Sequence, residues 1–227
     1  FKIINNNFRK RDTMKWFKTL KKVLIVILII VAGIAYSYGT WPRAIFNTDV
    51  GSMSYEKTNF LTTGSVLEQN FVCGSKGFAG FTIKLLKQDG QQLGNYEWTI
   101  QEVESGEVIA EGTIGEKETQ TRQFQSSNPQ KQGMISVEIP RQEDSKGKEY
   151  KLTLKATEMQ DTESAAVYMT EKGMVASELK VNGEIIADRA SIVKADCKRF
   201  NVETFIVFLG IAVYLWAFIK FMYKLFK

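Results

Sequence analysis

Two long apolar stretches without a charge constrain this chain more than any other feature. Residues 23 to 41, from Val23 to Trp41, hold no Asp, Glu, Lys or Arg. At about 1.5 Å per residue in a helix, such a stretch comes close to the ~30 Å of a bilayer's hydrocarbon core. Tyr36, Tyr38 and Trp41 lie at its end, where aromatic side chains favour the membrane interface. Residues 204 to 223 form the second stretch, apolar from Phe205 to Ile219. Lys220 interrupts it in the last turn, from which a lysine snorkels to the interface. The chain is therefore expected to carry two transmembrane helices, 23–41 and 204–223, with the lipid bilayer as a partner.

Charge predicts the orientation. The net charge of +5 is uneven. Residues 1–22 carry +7, residues 204–227 carry +3, and the intervening chain carries −5. Lys and Arg concentrate in segments that stay inside. Both basic tails, 1–22 and 224–227, are thus expected in the cytoplasm, with residues 42–203 extracytoplasmic. The mildly acidic middle argues against a nucleic-acid partner. Ala32, Ala35 and Ser37 also fit the end of a signal peptide, whose cleavage would leave one C-terminal anchor. Met14 reads as a natural start, with Phe1–Thr13 upstream of it.

Several chemistries are excluded by composition. There is no histidine, so Ser-His-Asp and Cys-His catalysis and His-containing zinc sites are absent. Two cysteines cannot form a four-thiolate metal site. Asp89 and Asp188 stand alone as oxygen ligands for calcium, and no metal or other cofactor is expected.

Between the apolar stretches the period of hydrophobicity changes to two. Phe81, Ile83 and Leu85 alternate with Thr82 and Lys84; Tyr96, Trp98 and Ile100 alternate with Glu97 and Thr99. Ile135, Val137 and Ile139 repeat the pattern, as do Tyr150, Leu152, Leu154 and Ala156. Alternation of this kind predicts half-buried antiparallel strands. Glycines at 90, 106, 147 and 183 sit in turn sequences between the runs. The expected fold class is mainly β: an antiparallel jelly-roll-like β-sandwich over residues 66–200, flanked by two transmembrane α-helices. Residues 42–65, which begin at Pro42 and contain Gly51 and Gly64, read as a juxtamembrane linker.

Candidate functional residues are few. Cys73 closes the first strand of the domain and Cys197 precedes the second membrane helix. On the oxidising side they form a disulfide if first and last strands are neighbours, and two separate buried thiols otherwise. Tyr96 and Trp98 read either as an aromatic platform for sugar or as core residues on one strand face. Gln123, Gln125 and Asn128 lie in a polar segment, 116–131, which reads as a glycan- or partner-binding loop or as an exposed edge. Glu102 with Glu104, and Glu143 with Asp144, are acidic pairs of the kind that hydrolyse glycosides when held across a cleft. In charge-rich strands and turns they read as solvated surface, and no catalytic residue is assigned.

The segments Leu67–Phe71 and Gly77–Ile83 resemble the "Q-x-F … L-x-G-I-x-I" opening of a jelly-roll domain of bacterial multi-pass membrane proteins of surface-glycan biosynthesis. Tyr96–Ile100 with Val108–Gly112 is similar to that domain's next hairpin. Ile139–Tyr150 resembles its "P-x-x-D-S-x-G-K-x-Y" hairpin, and Leu179–Glu184 its late "V-N-G" turn. The resemblance covers about residues 66–190. Those relatives carry many membrane helices and a glycosyltransferase core, which two helices do not supply. It implies a non-enzymatic accessory protein of the bacterial cell envelope, binding glycan or a larger membrane protein such as a glycosyltransferase or flippase in surface-polysaccharide assembly. The alternative expectation is a structural subunit of an envelope secretion or transport complex that makes protein contacts only.

Overall fold

The computed structural model describes residues 2–157 and 159–226, with side chains described from Trp16 onward except Lys18. The expected start at Met14 and the basic side chains before Trp16 lie outside the described side chains, and Lys227 outside the described residues. In chain order the elements are α1 (Lys2–Ser37), β1 (Tyr38–Ala44), β2 (Glu56–Lys57), β3 (Val66–Val72), β4 (Phe78–Lys87), β5 (Tyr96–Glu102), β6 (Val108–Ile114), β7 (Met134–Gln142), β8 (Glu149–Ala156), β9 (Ala165–Glu171), β10 (Ala176–Val181), β11 (Glu184–Ile185), β12 (Arg189–Ser191), β13 (Val193–Phe200) and α2 (Val202–Leu225). The chain divides into a helical unit, 1–39 with 200–227, and a β unit, 40–199.

In the helical unit, Thr19–Ser37 and Val202–Leu225 are long and apolar enough to cross a membrane. Leu24 is 61% exposed and Trp216 60% exposed. Apolar surface displayed along whole helices is stable against hydrocarbon and costly against water. The helices touch at Gly33: a Cβ there would lie 2.8 Å from Cδ1 of Phe208, so any larger residue would have to displace that ring. The Asn201 amide donates to the Ser37 carbonyl at 2.8 Å, joining the end of α1 to the start of α2. Asn201 also caps α2, its side chain accepting from the Thr204 amide at 3.2 Å.

The first helix stops four residues short of the expected Trp41. Tyr38 to Trp41 enter β1 instead, because aromatic residues before a proline favour extended backbone. Pro42 is tolerated there because β1 is an edge strand of its sheet.

The β unit consists of two antiparallel sheets around one core. One runs β1-β13-β4-β9-β12, with β2 on β9 and β7 on β4; the other runs β11-β10-β3-β8-β5-β6. Phe81, Ile83 and Leu85 from the first sheet meet Phe71, Trp98, Ile100, Leu152 and Leu154 from the second. These are the apolar phases of the alternating runs, as a period of two requires. The turn at 182–183 has both residues at positive φ, Asn182 at 53° and Gly183 at 84°. That combination matches the twist of a two-residue hairpin, and β10 pairs with β11 across it.

Residues 42–65 belong to this unit rather than forming a linker. Glu56 and Lys57 pair with Met169 and Tyr168 of β9, and Ile45 and Leu61 are buried in the core. Burying two large aliphatic side chains outweighs the turn signals at Gly51 and Gly64, which mark only the corners.

Gln69 joins the sheets. Its side chain is fully buried, and its amide donates to the carbonyls of Asn70 (2.8 Å) and Glu178 (3.1 Å). Its oxygen accepts from the amide and hydroxyl of Ser191 on β12, at 2.9 and 3.1 Å. One amide thus satisfies both sheets at a buried point where an unpaired polar group would be costly.

Candidate binding surface of the β unit

The outward face of the first sheet carries polar side chains at buried positions. Thr82 donates to Asp196 at 2.8 Å and shares a 2.8 Å hydrogen bond with Ser136. The Ser136 hydroxyl, whose proton goes to Thr82, lies 3.4 Å from the Gln123 side-chain amide. The row crosses β13, β4 and β7 and ends in the segment 121–133, which lies over this face. Burial raises the Asp196 carboxyl above its ordinary value, against the Thr82 hydrogen bond and the charge of Lys194.

Lys84 holds the covering segment down. It is 3% exposed, and its Nζ donates to the carbonyls of Pro129 (2.5 Å) and Gln132 (2.8 Å). The same Nζ sits 5.1 Å from the centre of the Tyr168 ring. Burial, and then Lys194, lower its pKa. Phe124 adds an apolar anchor against the core, and its carbonyl accepts from the Gly133 amide at 3.0 Å.

Beside this cover lies an open groove of about 490 Å³, lined by Arg122, Gln123, Gln130, Lys131, Met134 and Lys194 among others. None of its three cations is ion-paired among the described residues. The outward face of the second sheet differs. Its trough of about 230 Å³ is lined by Glu68, Lys151, Glu178 and Lys180, whose charges are spent on each other in Lys151–Glu68 (3.5 Å) and Lys180–Glu178 (2.7 Å) pairs. Unpaired cations beside side-chain amides make a surface complementary to an anion.

The residues singled out in the sequence are distributed as follows. Gln123 lines the groove. Gln125 donates weakly to Gln120 at 3.5 Å, and Asn128 closes its own turn by accepting from the Gln130 amide at 2.9 Å. Tyr96 and Trp98 are core residues, 0% and 6% exposed. Trp98 packs edge-on against Phe81, with ring centres 5.3 Å apart, and covers Gly112 of the neighbouring strand. No ring face remains for a sugar, because the strand phase that shares Ile100 points inward. Glu102 is paired with Lys148 at 2.9 Å and Glu143 with Arg141 at 2.9 Å. Asp89 lies in a turn, and Asp188 is paired with Lys172 at 3.3 Å. Among the described residues no three His, Cys, Asp or Glu side chains converge as metal ligands would.

Arg122, Lys131 and Lys194 carried no signal in the sequence. They come from two segments far apart in the chain, and only the docking of 121–133 onto the sheet brings them together.

Cys73 and Cys197 meet in the core. They lie in opposite sheets, Cys73 just after β3 and Cys197 within β13, rather than on neighbouring strands. Their Sγ atoms are 3.9 Å apart and both residues are fully buried. The hydrogen-bonded Cys197 thiol lowers the Cys73 pKa against the effect of burial, and the same neighbour together with burial raises Cys197.

No protein-family model matches this chain, and no curated protein matches it either. The class of protein is that which the architecture defines: a mainly β unit carried between two helices long and apolar enough to span a membrane.

Proposed function

We propose that this chain is a non-enzymatic accessory membrane protein of the bacterial cell envelope, whose ectodomain binds a glycan or a partner membrane protein in surface-polysaccharide assembly. The observation that carries this reading is the groove of Arg122, Lys131 and Lys194, with three unpaired cations flanked by Gln123 and Gln130. Envelope polysaccharides bear carboxylate or phosphate groups and many hydroxyls, which such a mixture of cations and amides would engage. The two antiparallel sheets support a jelly-roll sandwich, in keeping with the resemblance of residues 66–190 to ectodomains of surface-glycan biosynthesis. The basic flanks support cytoplasmic termini, with the β unit outside the cytoplasmic membrane.

The test uses the full chain in nanodiscs. Its retention on an array of acidic and neutral envelope glycans is compared with that of Arg122→Glu, Lys131→Glu and Lys194→Glu variants. Acidic glycans should be retained by the parent, and retention should drop at least tenfold in the combined variant. A detergent pull-down with mass spectrometry runs beside it. Recovery of the chain alone, with no glycan held, sinks the reading. A stable complex with other membrane proteins, indifferent to sugar, would favour a structural subunit of a secretion or transport complex.

A further inference from the structure

We propose that Cys73 and Cys197 form a disulfide that clamps the two sheets of the β unit together across their shared core. The chain has only these two cysteines. They are 124 positions apart in sequence, yet their Sγ atoms come within 3.9 Å, side by side in the interior. A sulfur–sulfur bond is about 2.05 Å long, so the two sulfurs must approach by about a further 2 Å.

The surroundings favour the bonded form. As thiols the two are unequal. The Cys73 S–H donates to the Ser75 carbonyl at 3.1 Å, whereas Cys197 has only long contacts, 3.9 Å to Cys73 and 4.0 Å to the Ala195 carbonyl. A disulfide leaves no S–H in need of an acceptor. Other uses of the pair lack their partners. With no histidine in the chain, a Cys-His nucleophile is absent. No third metal ligand converges on them among the described residues.

The backbone around Cys73 is already fixed for the bond. Its amide donates to the Lys148 carbonyl at 2.9 Å, and its carbonyl accepts from the Gly147 amide at 2.8 Å. Ser145, fully buried, accepts from the Phe78 amide and donates to the Ser75 carbonyl, both at 3.0 Å. These bonds pin the β3–β4 connection to the β7–β8 turn, so Cys73 is presented at one place. Cys197 lies in β13, whose residues 193–197 pair with β4. The bond would therefore tie the strand that leads into α2 to the opposite sheet, closing a loop of more than a hundred residues.

The oxidant is the disulfide of an extracytoplasmic thiol oxidoreductase. One cysteine thiolate attacks it, forming a mixed disulfide and releasing one oxidoreductase thiol. The second cysteine then attacks the mixed disulfide at the first cysteine's sulfur. The second oxidoreductase sulfur leaves as a thiol. Two electrons and two protons pass to the oxidoreductase, and one S–S bond is exchanged for another. Because both sulfurs are fully buried, the exchange happens before the core closes.

This inference is independent of glycan binding and is tested without any ligand. The full chain is made in cells that export it across their membrane. Thiols are trapped by acid, the protein is denatured, and a bulky maleimide is added before or after reduction. The expected result is no adduct before reduction and two after it. The Cys73→Ser variant should give one adduct without reduction. Two adducts on the unreduced parent, or a disulfide-linked dimer on a non-reducing gel, would overturn the proposal. Thermal unfolding supplies a second readout: the Cys73→Ala/Cys197→Ala variant should melt about 10–20 °C below the oxidised parent. Equal melting temperatures would overturn the clamp.

Discussion

Lys84 reaches from the outward face of β4 to the Gln132 carbonyl, a contact of 2.8 Å that fastens the 121–133 segment to the sheet. The position alternates with Ile83 and Leu85 as a strand lysine should, yet it is 3% exposed. Lys84→Met keeps the length and removes both hydrogen bonds, leaving the carbonyls of Pro129 and Gln132 without their donor. The loss is expected at about 1–3 kcal/mol, reduced by the relief of burying a charge. Hydrogen exchange should show the amides of 121–133 opening faster while those of β5 and β8 stay protected.

Gln69→Leu should be among the most destabilising single changes in the β unit. The side chain serves the Asn70 and Glu178 carbonyls and both polar groups of Ser191. Leucine fits the volume roughly but leaves those groups buried and unpaired, at a cost of about 2–4 kcal/mol. Thermal unfolding of the full chain in detergent would show it. Gln69→Glu at low pH, where the carboxyl is neutral and can still donate, should recover part of the loss.

Gly33→Leu should separate the two apolar helices. A Cβ added at this position would lie 2.8 Å from Phe208 and 3.0 Å from Phe205. Spin labels placed on the two helices should report a spacing wider by about 1–3 Å. The β unit should keep its own unfolding transition. Gly210→Leu is the matched control, since nothing lies within 4 Å of a Cβ there.

Glu116 gives an acid-dependent contribution to stability. Burial opposes its ionisation. Even so, the Leu93 amide at 2.7 Å, the Thr119 hydroxyl at 3.1 Å and Lys87 at 3.3 Å together hold its pKa below the usual 4.5. A depressed folded-state pKa means that the stabilisation is complete above the unfolded value and is lost as pH falls through the folded one. Glu116→Gln should therefore lower stability by about 1 kcal/mol at neutral pH. The gap between variant and parent should shrink steadily below about pH 4.5. Chemical unfolding across that range checks the sign. Asp196, whose pKa burial raises, acts in the opposite direction: its ionisation lowers stability as pH climbs above the ordinary aspartate value.

Local pattern was enough for much of this architecture. Nineteen uncharged residues from Val23 and the run from Phe205 define two membrane-length helices, because length and polarity alone decide what crosses hydrocarbon. Period-two alternation placed Phe81, Trp98, Ile135 and Leu152 on strands, and the turn glycines at 90, 106, 147 and 183 all adopt positive φ. Those signals are short-range, carried by neighbours two to four positions apart. Relations between distant segments could not be read the same way. That 42–65 adds an edge to the first sheet depends on Ile45 and Leu61 finding a core made elsewhere. That Tyr96 and Trp98 are closed to ligand depends on which face the second sheet turns inward. The cationic groove, the Gln69 bridge and the 3.9 Å approach of Cys73 to Cys197 each join residues more than fifty positions apart. Such contacts are fixed by sheet register and by the docking of one sheet on another, and only the tertiary structure decides them.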